Sequence, residues 1–176
     1  FNTEGVTDMS FMFDGCSGLT SLDLSGFNTA KVTIMSCMFM WCSSMTNLNM
    51  SGFNTSNVKE MTNMFRSCSN LTTITVGNDW STSNVTTSSD MFGDCTSLVG
   101  GYGTTYDSNH TDASYAKVDG GSNNPGYLTS VNAADISARK NELEALAKNT
   151  QTLIDGLKST LDQNYLTGYN MITQSN

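Results

Sequence analysis

The sequence predicts an α/β solenoid: stacked units of one short helix plus one short strand, a polar cap, and a C-terminal α-helix. Three observations carry this. Phe1-Asn2-Thr3, Phe27-Asn28-Thr29, Phe53-Asn54-Thr55 and Trp80-Ser81-Thr82 recur at intervals of 26, 26 and 27 residues. Within each interval the apolar period switches from three or four to two. After the fourth unit the composition turns Gly- and Tyr-rich, and after Ser130 it turns to helix formers. The expected domains are therefore repeats over 1–97, a Gly/Tyr-rich capping segment over 98–131, and a helix over 132–176.

The columns of the repeat define its elements. Val6, Val32, Val58 and Val85 align, as do the Met-Phe pairs beginning at Met12, Met38, Met64 and Met91. The cysteines Cys16, Cys42, Cys68 and Cys95 form a further column, followed by Leu19, Met45, Leu71 and Leu98. Val6, Met9, Met12/Phe13 and Cys16 recur at steps of three and four, the spacing of one helix face. Asn57, three residues before Glu60, reads as a helix cap. Leu19-Thr20-Ser21-Leu22-Asp23-Leu24 ends in the period of two that suits a strand. A helix and a strand in about 26 residues fall in the leucine-rich-repeat window, and such units bury a continuous core only by stacking.

FNTSNVKEMTNMFRSCSNLTTITV (residues 53–76) and its sister units resemble the BspA-type leucine-rich-repeat surface proteins of bacteria. The stretch LVGGYGTTYDSNHTDASYAKVDGGSNNPGYLTS, residues 98–130, is similar to the segment that often closes their arrays. The resemblance covers residues 1–130 and implies an exported protein displayed on a cell surface, with adhesion to host or matrix proteins as its work. It does not reach the C-terminal helix.

In the capping segment, Gly-Gly pairs at 100–101 and 120–121 and the run Asn123-Asn124-Pro125-Gly126 mark turns. Tyr102, Tyr106, Tyr115 and Tyr127 supply bulk to cover the open end of the array. Beyond it, Ile136, Leu143, Leu146, Leu153 and Leu157 recur at sevens, threes and fours. They make about three imperfect heptads, with Thr150 at a core position. A thin stripe of this kind serves as an oligomerisation seam or as a brace packed on the rest of the chain, and both readings stay open.

Composition bounds the chemistry. Eight Lys+Arg stand against sixteen Asp+Glu, a net charge of −8, and Ser, Thr and Asn together number 66 of 176 residues. A cationic footprint for nucleic acid or for an anionic membrane surface is missing, and no apolar run is long enough to insert in a bilayer. The chain starts at Phe1, the first residue of a repeat, with neither an initiator Met nor a leader pattern, and is read as a piece of a longer polypeptide.

No enzyme and no cofactor is expected. His110 is the only imidazole, and no nucleophile elbow, phosphate loop or zinc motif is present. Four of the five cysteines share one inward column and read as buried thiols, with Cys37 the odd one out. Asp107, Asp112 and Asp119 lie in a Gly- and Asn-rich loop, but their spacing fits no calcium motif, and no metal site is assigned. Turn carboxylates of this kind more often bond their own backbone.

The second repeat departs from its sisters. It carries Ile34, Cys37, Met40 and Trp41 where others carry mostly polar residues, and Phe11 matches Cys37 in the first repeat. On the expected helix, Ile34, Cys37 and Trp41 share a face turned away from the core, an apolar patch suited to binding. The expected function is a non-catalytic extracellular module binding a protein or glycan on a host or neighbouring surface. The alternative, of a different class, is a virion fibre or tail-associated host-recognition component that self-associates through the C-terminal helix.

Overall fold

The computed structural model describes residues 2–131 and 133–174, and for 133–137 and 168–174 the backbone alone. Phe1 and the side chain of Ile136 lie outside the described residues. The chain forms two compact units, Phe1–Asn132 and Ala133–Asn176.

The first unit holds a small, open, parallel sheet of three strands in the order β1 (Asn47–Met50), β2 (Thr73–Val76), β3 (Leu128–Ser130). Leu48 pairs with Ile74, which pairs with Leu128, so one apolar row crosses the sheet. Alternate residues are buried, as the pleat requires. Isolated parallel bridges join Asp8 to Ile34, Ile34 to Glu60, and Glu60 to Thr87. Two single-turn 3-10 helices, Ala113–Tyr115 and Gly121–Asn123, interrupt the segment leading to β3.

This corrects the expected fold class. The structure is a three-stranded open sheet with one C-terminal helix, not an α/β solenoid of leucine-rich-repeat type. No described repeat contains an α-helix, and only the second and third supply a strand. The backbone amides explain the missing helices. In the second repeat, the amides of Met38, Met40 and Cys42 close tight turns onto Met35, Cys37 and Phe39. The alternate amides go elsewhere: Met35 donates to Glu60 O at 2.8 Å, Cys37 to Thr62 O, Phe39 to Met64 O and Trp41 to Arg66 O. Half of the donors an α-helix would need four residues back are committed to chain about 25 positions away. Successive turns repeat at three and four residues, so they mimic the apolar spacing of a helix. Asn57 caps nothing; its side-chain amide donates to Ala30 O at 2.8 Å.

The recurring Phe-Asn-Thr signature has a separate reason. Thr3, Thr29 and Thr55 are buried, and each hydroxyl both donates to and accepts from the backbone of the following repeat. Asn2, Asn28 and Asn54 turn their side-chain oxygens onto the amide two residues on.

The core is built from the Met, Phe and Cys columns. Phe13, Phe39, Phe65 and Phe92 stack with centroids 5.4, 5.7 and 5.5 Å apart, and Tyr127 ends the row edge-on at 5.2 Å. Segment 98–131 is continuous with this core: Tyr127 and Leu128 are fully buried, and Trp80 donates its indole N–H to Ala116 O at 2.9 Å.

The second unit is α1 (Ala133–Gln174), 42 residues and about 63 Å long at 1.5 Å per residue. Thr150, Thr152, Thr160 and Thr167 return their hydroxyls to the carbonyl four residues back. Leu143, Leu146, Leu153, Leu157 and Leu161 are exposed along it. Among the described residues no helix is long and apolar enough to cross a membrane.

Candidate interaction surface

The two turns of each repeat place one residue with a left-handed backbone at their third position. One row holds Phe11, Cys37, Asn63 and Asp90; the other holds Gly15, Trp41, Ser67 and Asp94, with φ between 52° and 71° throughout. Glycine, asparagine and aspartate adopt this conformation readily, whereas a bulky side chain costs about 1–2 kcal/mol there. Gly15, Asn63, Asp90 and Asp94 suit the conformation and Cys37 and Ser67 are small, so Phe11 and Trp41 are the two bulky residues among the eight. They are also exposed, at 58% and 54% of their surface.

The other members of the sequence patch fall elsewhere, because the helix that was to align them is absent. Cys37 is buried and Ile34 and Met40 are half-buried. Met12, 40% exposed, lies beside Phe11 in the turn, and Met40 precedes Trp41. The same first-repeat turn contains Asp14, whose Oδ1 is buried without a hydrogen-bond partner. Backbone pairing sets Phe11 next to the Cys37 turn (Phe11 N to Ser36 O, 3.1 Å) and Gly15 next to Trp41 (Gly15 N to Met40 O, 2.8 Å). The two aromatics are thus offset by one repeat and one turn.

The cysteine column consists of free thiols. Cys42, Cys68 and Cys95 are buried, and each donates to a carbonyl of the preceding repeat: Phe13 O at 3.2 Å, Phe39 O at 3.0 Å and Phe65 O at 2.9 Å. Burial first, and the neighbouring thiol of the column second, push Cys42 up to about 11 and Cys68 up to about 12. Cys95 is raised further for the same reasons. Burial also raises Cys37. Cys16, at the outer end of the column, is exposed.

The three loop carboxylates are already engaged. Asp119 is buried and accepts from Tyr102 N and Thr104 N on one oxygen and from Thr104 Oγ1 and Gly121 N on the other. Burial alone would raise its pKa, but these donors outweigh it and hold the carboxyl below its usual range. Gly100 has to be glycine, since a Cβ there would collide with Gly126 O and with Asp119. Asp112 caps the Ala113–Tyr115 turn, and Asp107 Oδ1 accepts from Asn109 N. Among the described residues no group of His, Cys, Asp or Glu is arranged to hold a metal ion. His110 stacks on Tyr115 at 4.2 Å.

One feature escaped the sequence reading. Tyr102, Tyr106 and Tyr115, read there as covering bulk, line an open groove of about 810 Å³ together with Thr104, Asp107 and Ser122. The available signal was the Tyr, Ser, Gly and Asn content of the segment, the mixture that binding loops favour.

Described as "Mycoplasma protein of unknown function, DUF285", one family model matches residues 1–105, more than half of the chain, and the chain belongs to that family. No curated protein and no solved structure matches it.

Proposed function

We propose that the chain is a non-catalytic, extracellular interaction module of the BspA-like surface type, which binds a protein or glycan partner through the surface around Phe11 and Trp41. The observation that carries the reading is the pair of exposed aromatics held in a backbone conformation that Gly, Asn or Asp would adopt at lower cost. Strain and exposure together are unfavourable to folding, and strained residues cluster where function maintains them. Aromatic side chains are also the usual anchors of interfaces. The acidic charge of −8 speaks against nucleic acid and anionic membrane as partners.

The test is binding of the fluorescently labelled chain to bacterial and animal cells, intact or stripped with protease or glycosidase. The Phe11→Asn/Trp41→Gly variant is expected to lose about tenfold or more in binding while its melting temperature holds or rises. Undiminished binding by that variant overturns the reading.

A second reading has its own support: the leucines of α1 are exposed, Leu153 at 69% and Leu157 at 71%. They suit self-association in a virion fibre or tail-associated component that recognises a host, with the first unit displayed. Light scattering on the full chain and on residues 1–131 separates the two. A full chain that is monomeric removes the support for the fibre.

A further inference from the structure

We infer that the partner taken by the Phe11/Trp41 surface is a protein presenting an arginine or lysine side chain, held against the aromatic rings and paired with Asp14. This names the ligand chemistry of that surface, and it rests on the reading of the surface as the binding site. Asp14 belongs to the same turn as Phe11, and its amide donates to Phe11 O at 3.2 Å. The next amide, Gly15 N, donates to Met40 O at 2.8 Å, which sets this turn against the one that carries Trp41. Asp14 therefore lies on the backbone path from one exposed aromatic to the other, with exposed Met12 two positions before it. Its negative charge reaches across the seam between the two repeats to the thiols of Cys37 and Cys42.

The carboxylate lacks a counter-charge. Oδ1 is shielded from water and accepts no hydrogen bond, so hydration reaches the charge through Oδ2 alone. The neighbouring carboxylates are differently placed: Asp8 accepts from Ser10 and Asp23 from Ser25. The column of Asp14 continues with Met40, Arg66 and Gly93, and its one cation is committed, since Arg66 donates to Asp90 at 3.1 Å. Over residues 1–58, Glu4, Asp8, Asp14 and Asp23 stand against Lys31 alone. A carboxylate that water solvates poorly attracts a cation with less screening than a fully hydrated one. The faces of Trp41 and Phe11 attract the same cation through their ring quadrupoles. A guanidinium stacks flat on a ring while its edge donates to one carboxylate oxygen, and an ammonium meets both as a point charge. The apolar stem of either side chain suits the exposed Met12 and Phe11 surface. A neutral saccharide satisfies the rings but leaves the carboxylate unpaired, and an anionic partner is repelled by it.

The test mixes the full chain with a labelled arginine-rich peptide, its lysine-rich counterpart, and a citrulline-rich counterpart that keeps the shape of arginine without its charge. Fluorescence anisotropy at low and moderate salt should show a charged peptide bound about tenfold tighter than the citrulline peptide, with the preference shrinking as salt rises. Asp14→Asn should remove most of the preference at an unchanged melting temperature. Asp162→Asn makes the same change in net charge on exposed α1 and should leave the preference intact. Equal binding of the citrulline peptide, no binding, or a preference lost equally in both variants overturns the proposal, and the wild-type comparison decides even where a variant fails to fold. Binding to cells tells the two failures apart. Asp14→Asn and Phe11→Asn/Trp41→Gly should both lose it, and protease treatment of the cells should abolish it. If only the aromatic variant loses binding, or if glycosidase alone abolishes it, the aromatic surface stands and the cationic protein partner falls. If neither variant loses binding, the reading of the surface falls and this proposal with it.

Discussion

Trp41 sets a side chain of maximal bulk on a backbone φ of 58°, and Phe11 does the same one repeat earlier. Replacing either by the residue type its row otherwise accepts removes a local cost of about 1–2 kcal/mol and gives up only partly buried aromatic surface. Trp41→Gly and Phe11→Asn are therefore expected to stabilise the fold by about 0.5–1 kcal/mol each, read by urea denaturation, while binding falls. Destabilisation by both would show that the aromatics serve the fold instead. The cysteines make a second expectation at this scale. Cys42 and Cys68 are buried, neutral donors raised to about 11 and 12, so their thiolates are scarce at pH 8. One thiol, Cys16, should react rapidly with iodoacetamide in the native chain, as counted by mass spectrometry; Cys16→Ala should abolish the fast phase. The inward column of Cys42, Cys68 and Cys95 was legible from sequence, because burial of a small apolar thiol follows from its place among Met and Phe columns. The left-handed rows went unread: Gly15, Asn63, Asp90 and Asp94 are identities that favour them, but the three- and four-residue apolar spacing pointed to a helix.

At the scale of elements, that ambiguity decides the fold. Periodicity reports which side chains face inward, not where the amides go, and here alternate amides go to a neighbouring repeat. The strands fared better: Leu48 and Met50, and Ile74 and Val76, alternate inward as the period of two demands. The equivalent Leu22-Asp23-Leu24 forms no strand, and Val99 makes only a lone antiparallel bridge to Thr105. The C-terminal helix was plain from composition, and its leucines pose the next question. A helix of this polarity has little stability in isolation, since most helical stability comes from packing an apolar face. Under the fibre reading, the full chain elutes as an oligomer, and Leu146→Asp/Leu153→Asp returns it to monomer with a loss of helical circular dichroism. A wild-type chain that is monomeric at all concentrations removes self-association.

For the whole molecule, the titrating groups set a pH window with two different edges. Asp119 is held low by its backbone and Thr104 donors. Asp8 and Asp112 are held low by the hydroxyls of Ser10 and Ser114, and Asp107 by the amide of Asn109. A carboxyl depressed in the folded state contributes stability above its unfolded value, about 3.9, and that contribution disappears as pH falls through the folded value. The thiols act with the opposite sign: raised in the folded state, they contribute fully below about 8.5 and less as pH climbs through the folded values of about 11 and 12. Thermal stability should accordingly form a plateau from about pH 5 to 8 and fall on both sides. Asp119→Asn separates the acid edge. Its amide oxygen can keep the Tyr102 and Thr104 amides while its NH2, placed where Oδ1 now lies, donates to Thr104 Oγ1 but opposes the Gly121 N–H, costing about 1–3 kcal/mol at neutral pH. The acid limb should shrink in that variant, because the depressed carboxyl is gone. The alkaline edge is separated by Cys68→Ala/Cys95→Ala, which starts from a lower melting temperature but loses less of it above pH 9. An alkaline limb that is unchanged in the double variant would assign that edge to groups other than the buried thiols.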